Sequence, residues 1–143
     1  MSIFKRLDHI SIGVSDHKQA EKLFLEVFGA EPLKDVGSND AESFNWQTFS
    51  LGGKKVEIVS PHAPGEGGVG RYIAKNGQGF HHMTLGVENI DEAEAHFEKH
   101  GIRVLAKNTS DPNWKHFYLH PKDTFGALFQ VFEENEHTES LAE

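Results

Sequence analysis

The eight residues LDHISIGV, 7–14, return 73 positions later as FHHMTLGV, 80–87. His9 matches His82, Ile12 matches Leu85, Gly13 matches Gly86 and Val14 matches Val87. The same offset aligns Ala20 with Ala93, Glu21 with Glu94 and Phe24 with Phe97. Self-similarity at a fixed spacing means that one supersecondary unit is built twice, so an element assigned in one half needs a counterpart in the other.

Each copy reads strand, short turn, helix. Ala20, Leu23, Phe24, Val27 and Phe28 recur at helical spacing and predict a first helix over 16–28 with those five on its apolar stripe. Ile90, Ala93 and Phe97 predict the second over 90–100. Gly29 and Gly101 stand where helices stop, and Lys99-His100 suits a helix C-terminus. Both halves then turn β-like. FNWQTFSL (44–51), Gly52-Gly53 and KKVEIVS (54–60) read as a hairpin, as do KHFYLH (115–120) and ALFQVFE (127–133) around the turn PKDTFG. Short β segments at 31–36 and 102–107 complete two β-α-β-β-β modules, about 5–60 and 79–134. Residues 61–78 link them, with a short helix near 69–75. The fold class is α+β, because hairpins follow each helix. A length of 143 residues suits one domain, 1–143, with an acidic tail over 135–143 that is expected to be frayed.

Composition excludes several functions. No apolar run approaches the roughly 18 residues of a membrane span, and the start lacks the apolar run of a secretory signal. With no cysteine there is no disulfide framework and no thiolate metal site, and a reducing cytoplasm is the default expectation. A net charge of −8 argues against non-specific nucleic-acid binding. Ten histidines make a metal site worth testing.

Side chains alternate along a strand. His9, Ser11 and Gly13 therefore share one face, and Ile10, Ile12 and Val14 the other. In the second copy His82, Thr84 and Gly86 oppose Met83, Leu85 and Val87. The histidine faces carry small residues and predict open volume above the sheet. The offset also joins Glu57, in VEIV, to Gln130, in FQVF. Glu57 is costly to bury as an ion without a partner, and a metal ion is one such partner. The blander alternative is a solvent-facing Glu57 paired with Lys54 or Lys55 beside ordinary half-buried histidines. By register His81 points away from His82 and is structural. His62, His116 and His120 lack repeat partners, with His120 a candidate for the rim of a site.

These segments, together with the linker GVGRYIAKNGQGFHHMTLGV and the stretch FYLHPKDTFGALFQVFE, resemble the vicinal oxygen chelate superfamily of glyoxalase, bleomycin-resistance and dioxygenase proteins. They are most similar to its methylmalonyl-CoA epimerase branch. The resemblance implies two modules forming a cupped mixed sheet around one divalent metal, with His9, Glu57, His82 and Gln130 at the four ligand positions. The last-strand position is usually glutamate in the family, and here it is Gln130. The resemblance also implies a homodimer and a second carboxylate in the region of Glu42.

Two nitrogens and two oxygens suit zinc, cobalt, nickel, manganese or iron. The leading reading is a metal-dependent epimerase or isomerase that removes the proton α to the carbonyl of an acyl thioester, with Glu57 as base and Glu42 as the second carboxylate. Lys122 and Arg71 are candidates to meet substrate phosphates or carboxylate, each with a surface-charge alternative. Three rivals share the ligand set: a glyoxalase-type lyase, an iron(II) dioxygenase using His9, His82 and Glu57, and a metal-free small-molecule binding protein.

Overall fold

Residues 2–135 are described in the computed structural model. The acidic tail falls outside them from residue 136 on. The chain divides into two compact units, one holding residues 9–81 and the other holding residues from His82 on together with the N-terminal segment through Asp8. Strand β1 (Phe4–Gly13) thus gives its second half to the first unit and its first half to the second.

In the first unit, β1 leads into helix α1 (His17–Lys22), whose N-cap Asp16 accepts from the Gln19 N–H. A single π-helical turn, Leu23–Val27, extends α1. Strands β2 (Glu31–Asn39), β3 (Phe44–Leu51) and β4 (Lys54–Pro61) follow, then helix α2 (Gly67–Asn76). Gly52 and Gly53 adopt φ of 59° and 82°, the left-handed pair that lets a two-residue turn match the twist of β3 and β4. β4 lies between antiparallel β3 and parallel β1, giving the order β2-β3-β4-β1. Phe24, Ala30, Phe49 and Ile58 form the core, with the Phe24 and Phe49 rings 5.0 Å apart. Ile12 and Val14 pack against it, as the alternation predicts.

The helical extent over 16–28 agrees with expectation, but its apolar stripe does not. Phe24 is buried and Ala20 half-buried, whereas Leu23, Val27 and Phe28 are exposed, Val27 to 70%. The Phe28 N–H bonds the Leu23 carbonyl at 3.0 Å. That i→i+5 closure puts an extra residue into the turn and rotates the following side chains out of the 3.6-residue phase.

The second unit repeats the plan. Strand β5 (Gly79–Val87) joins it from His82 on, followed by helix α3 (Ile90–Lys99) and strands β6 (Val104–Asn108), β7 (His116–Leu119) and β8 (Phe129–Glu133). β8 runs parallel to β5 and antiparallel to β7, giving the order β5-β8-β7-β6. Asn89 caps α3 by accepting from the Glu92 N–H, and Asp91 and Glu92 oppose the dipole in its first turn. Ile90, Ala93 and Phe97 are buried with Val87, Phe117, Leu119 and Val131, while Phe4 packs on Phe97 at 5.8 Å. The strand expected over 102–107 starts later, at Val104. Ile102 is still engaged in ending α3, its N–H bonding the Phe97 carbonyl behind Gly101 at φ 77°.

Candidate functional site

The parallel pairing of β1 with β4 puts Ser11 in register with Glu57, and antiparallel β3 puts Thr48 on its other side. His9 is buried, and the Glu57 side chain is only 12% exposed. His9 Nε2 lies 3.4 Å from Glu57 Oε1, and the Ser11 hydroxyl donates to that same oxygen. A carboxylate with so little access to water depends on such partners for its charge.

The second unit repeats this construction with an amide. Thr84 is in register with Gln130 across β5 and β8, and Tyr118 with Gln130 across β7 and β8. Thr84 Oγ1 donates to Gln130 Oε1 at 3.0 Å, and Gln130 Nε2 donates to the Tyr118 hydroxyl at 3.2 Å. These bonds fix which end of the amide faces which neighbour. The His82 ring is buried and meets the Tyr118 ring edge-on at 6.4 Å. Both histidines therefore sit two residues before a hydroxyl that holds the oxygen-bearing side chain of the neighbouring parallel strand.

The space expected above the small residues is partly filled, since Ser11 and Thr84 are fully buried hydrogen-bond donors. The sequence marks Ser11 and Thr84 only by a hydroxyl at matching positions of the two copies, and it gives no such mark for Tyr118, whose match is Asn45. His81, expected on the far side of its strand, is also buried. Its ring packs against Tyr72 of α2 at 4.6 Å, and its Cβ lies 3.7 Å from where a Cβ on Gly13 would stand. Burial pushes its imidazole below the ordinary histidine range, partly opposed by the Glu57 carboxylate. His81 thus belongs to the electrostatic surroundings of Glu57 and stays neutral at neutral pH.

Glu42 is exposed in the β2–β3 turn, where its N–H donates to Asn39 Oδ1. Its carbonyl oxygen lies 2.3 Å from where a Cβ on Gly67 would stand, so only glycine lets the start of α2 approach this turn. Arg71 is exposed on α2. Lys122 is exposed on a 3₁₀ turn, Pro121–Asp123, and its N–H donates to His120 Nδ1. The turn is anchored by Asp123, which accepts from the backbone N–H, Nε and Nη2 of Arg103. The Arg103 guanidinium holds the Asp123 carboxyl at about 2. Among the described residues no helix is long and apolar enough to cross a membrane.

Two β-α-β-β-β units, each presenting a buried strand histidine and a hydroxyl-held oxygen donor, define a duplicated oxygen-and-imidazole scaffold. The chain belongs to the glyoxalase/bleomycin resistance protein/dioxygenase superfamily, whose family model matches residues 8–118. It is 32% identical over 136 residues to the ethylmalonyl-CoA/methylmalonyl-CoA epimerase of Cereibacter sphaeroides, covering 88% of this chain and 96% of that protein. It is 28% identical over 129 residues to the mitochondrial methylmalonyl-CoA epimerase of Mus musculus, covering 88% of this chain and 71% of the relative. Among solved structures, a variant of Streptomyces coelicolor methylmalonyl-CoA epimerase in complex with 2-nitronate-propionyl-CoA has a TM-score of 0.79 and 25% identity. That match covers 93% of this chain and 96% of the other.

Proposed function

We propose that this chain is an epimerase of short-chain acyl-CoA thioesters of the methylmalonyl-CoA kind, and that it uses one divalent ion held by His9, Glu57, His82 and Gln130. The observation that carries the reading is the duplicated construction: histidine, then a hydroxyl two residues on, then a carboxylate or amide held by that hydroxyl. The donor set fits a borderline divalent ion of the zinc, cobalt, nickel, manganese or iron class. Gln130 fits as a neutral oxygen donor, because an amide oxygen has two lone pairs and Thr84 uses one of them. The names of the relatives support the substrate class.

When bound, the ion supplies positive charge to offset the negative charge that develops on a substrate carbonyl oxygen as the α-proton leaves. The rest falls to the chain. Glu57 accepts the α-proton, while the Ser11 hydroxyl holds its carboxylate in place. An amide cannot take a proton usefully at neutral pH, so Gln130 is a ligand only. Returning a proton to the opposite face of the α-carbon needs a second acid, and Glu42 is the proposed group. Lys122 and Arg71 meet the phosphates of the coenzyme, and the working form is a homodimer.

Incubating the metal-loaded protein with methylmalonyl-CoA in deuterium oxide tests the reading. Catalytic incorporation of deuterium at the α-carbon is expected. Exchange with a different chelating substrate alone would refute the thioester assignment and keep the base. Exchange with none would favour a binding protein.

Tyr118→Phe isolates the amide lock. The ring that meets His82 remains, while the acceptor for Gln130 Nε2 is lost and the amide is held only through its oxygen by Thr84. Removing an outer partner of a ligand typically costs 10–100-fold in metal affinity. About 10-fold weaker binding with an unchanged circular dichroism spectrum is expected in a metal titration. Unchanged affinity would remove Tyr118 from the site.

A further inference from the structure

We infer that His96 and His100 form a second, bidentate site for a borderline divalent cation of the copper(II), nickel(II) or zinc class, on the outer face of α3. The two residues are four apart at the C-terminal end of the helix, so their side chains rise one above the other on the same face. Their ring centroids are 4.7 Å apart and the ring planes 56° to one another. That is the spacing of two adjacent imidazole ligands whose nitrogens each lie about 2.0–2.1 Å from one ion. His96 is further set by an edge-on contact with Phe97, at 5.8 Å and 77°. Phe97 itself is in the core, so the helix carrying the pair is anchored on its inner face.

Three features favour a cation there. Both rings are exposed, so an ion can reach them without stripping water from a buried cavity. The last turn of a helix carries partial negative charge from its carbonyls. The chain as a whole has a net charge of −8. Asn89 at the start of α3 and Gly101 after its end fix the helix, so little ordering is left for the ion to impose. Glu92 lies eight residues before His100, about 12 Å along the axis, too far to join the same ion. The site is therefore two nitrogens with water in the remaining positions. Copper(II) should bind it tightest, because imidazole sites follow the general order of divalent affinities. Binding requires unprotonated imidazole nitrogens, so protons compete with the ion for the pair.

This inference does not rest on the proposed function, and it changes how that function is tested. Protein exposed to excess nickel or copper should hold about one ion more than the interior ligands account for. The experiment is equilibrium dialysis of the full, chelator-stripped chain against Ni²⁺ or Cu²⁺ alone, at pH 7.5 and at pH 5. It compares the wild type with His96→Ala, His100→Ala and the double substitution. The double variant should lose about one equivalent, each single variant should weaken that equivalent at least 10-fold, and pH 5 should remove it from the wild type. Helical circular dichroism should not change, since both side chains are exposed. The same stoichiometry in the double variant and the wild type would overturn the site, as would a single variant that keeps its affinity within twofold.

Discussion

Glu57→Gln is expected to abolish α-proton exchange on the thioester, with a loss of about 10²–10⁴-fold, the usual contribution of a positioned general base. The substitution is nearly isosteric, and an amide oxygen can still accept from the Ser11 hydroxyl, so the local hydrogen bond survives. The proton-accepting lone pairs of a carboxylate do not survive. The variant would carry two neutral amides where one carboxylate and one amide stood, so its hold on the ion should also weaken. The two effects are separated by measuring exchange at saturating metal. A base role predicts that the loss persists there, whereas a ligand role alone predicts recovery. Gln130→Glu is the informative partner, because it restores an anionic ligand in the second unit without restoring the carboxylate next to His9. If Glu57→Gln keeps full exchange at saturating metal, the proton is taken elsewhere, and Glu42 is the next carboxylate to remove.

Much of this arrangement was readable in the chain, and the unread part has a common physical origin. β5 and α3 are legible to within a residue because their signals are local: alternation in GFHHMTLGV, three apolar residues at helical spacing, and a glycine after the helix. The hairpin at Gly52-Gly53 was equally local. The Ser11–Glu57 and Thr84–Gln130 bonds each join residues 46 positions apart, across parallel strands separated by a helix and two further strands. Alternation says which face Ser11 is on, but nothing near Ser11 encodes its register against β4. Tyr118 escaped for the same reason, since its pairing with Gln130 depends on the path through Pro121–Asp123. The exposed Val27 and Phe28 show a different failure. A stripe drawn at 3.6 residues cannot anticipate a π turn, whose extra residue shows only in the bonded backbone. Parity alone separates His81 from His82, and it does not reveal that both are buried or that Glu57 acts on His81.

That distinction sets up the largest expected change in metal content. His82→Ala, and separately His9→Ala, should take a chain that holds about one zinc or cobalt ion at the interior site to almost none. Each histidine is half of the proposed nitrogen donors, and a carboxylate with an amide makes a poor site for a borderline ion. Neither change should unfold the chain outright. His82 faces Tyr118 rather than the apolar core of its unit, and His9 faces Glu57 rather than the cluster around Phe24 and Phe49. A second readout is thermal. An ion at 100 times its dissociation constant stabilises the folded chain by about 2.7 kcal/mol. For a protein of this size that raises the melting temperature by roughly 5–10 °C. The wild type should show this rise on adding metal, and both variants should lose it. His81→Ala is the contrast: it should melt lower because the ring packed on Tyr72 is gone, yet keep its ion and its metal-dependent rise. Measuring metal content after dialysis against a dilute chelator, with His96 and His100 both replaced by alanine to silence the surface pair, gives the decisive count. If the His9 and His82 variants both retain a full equivalent on that background, the ion is not held where the duplicated histidines stand.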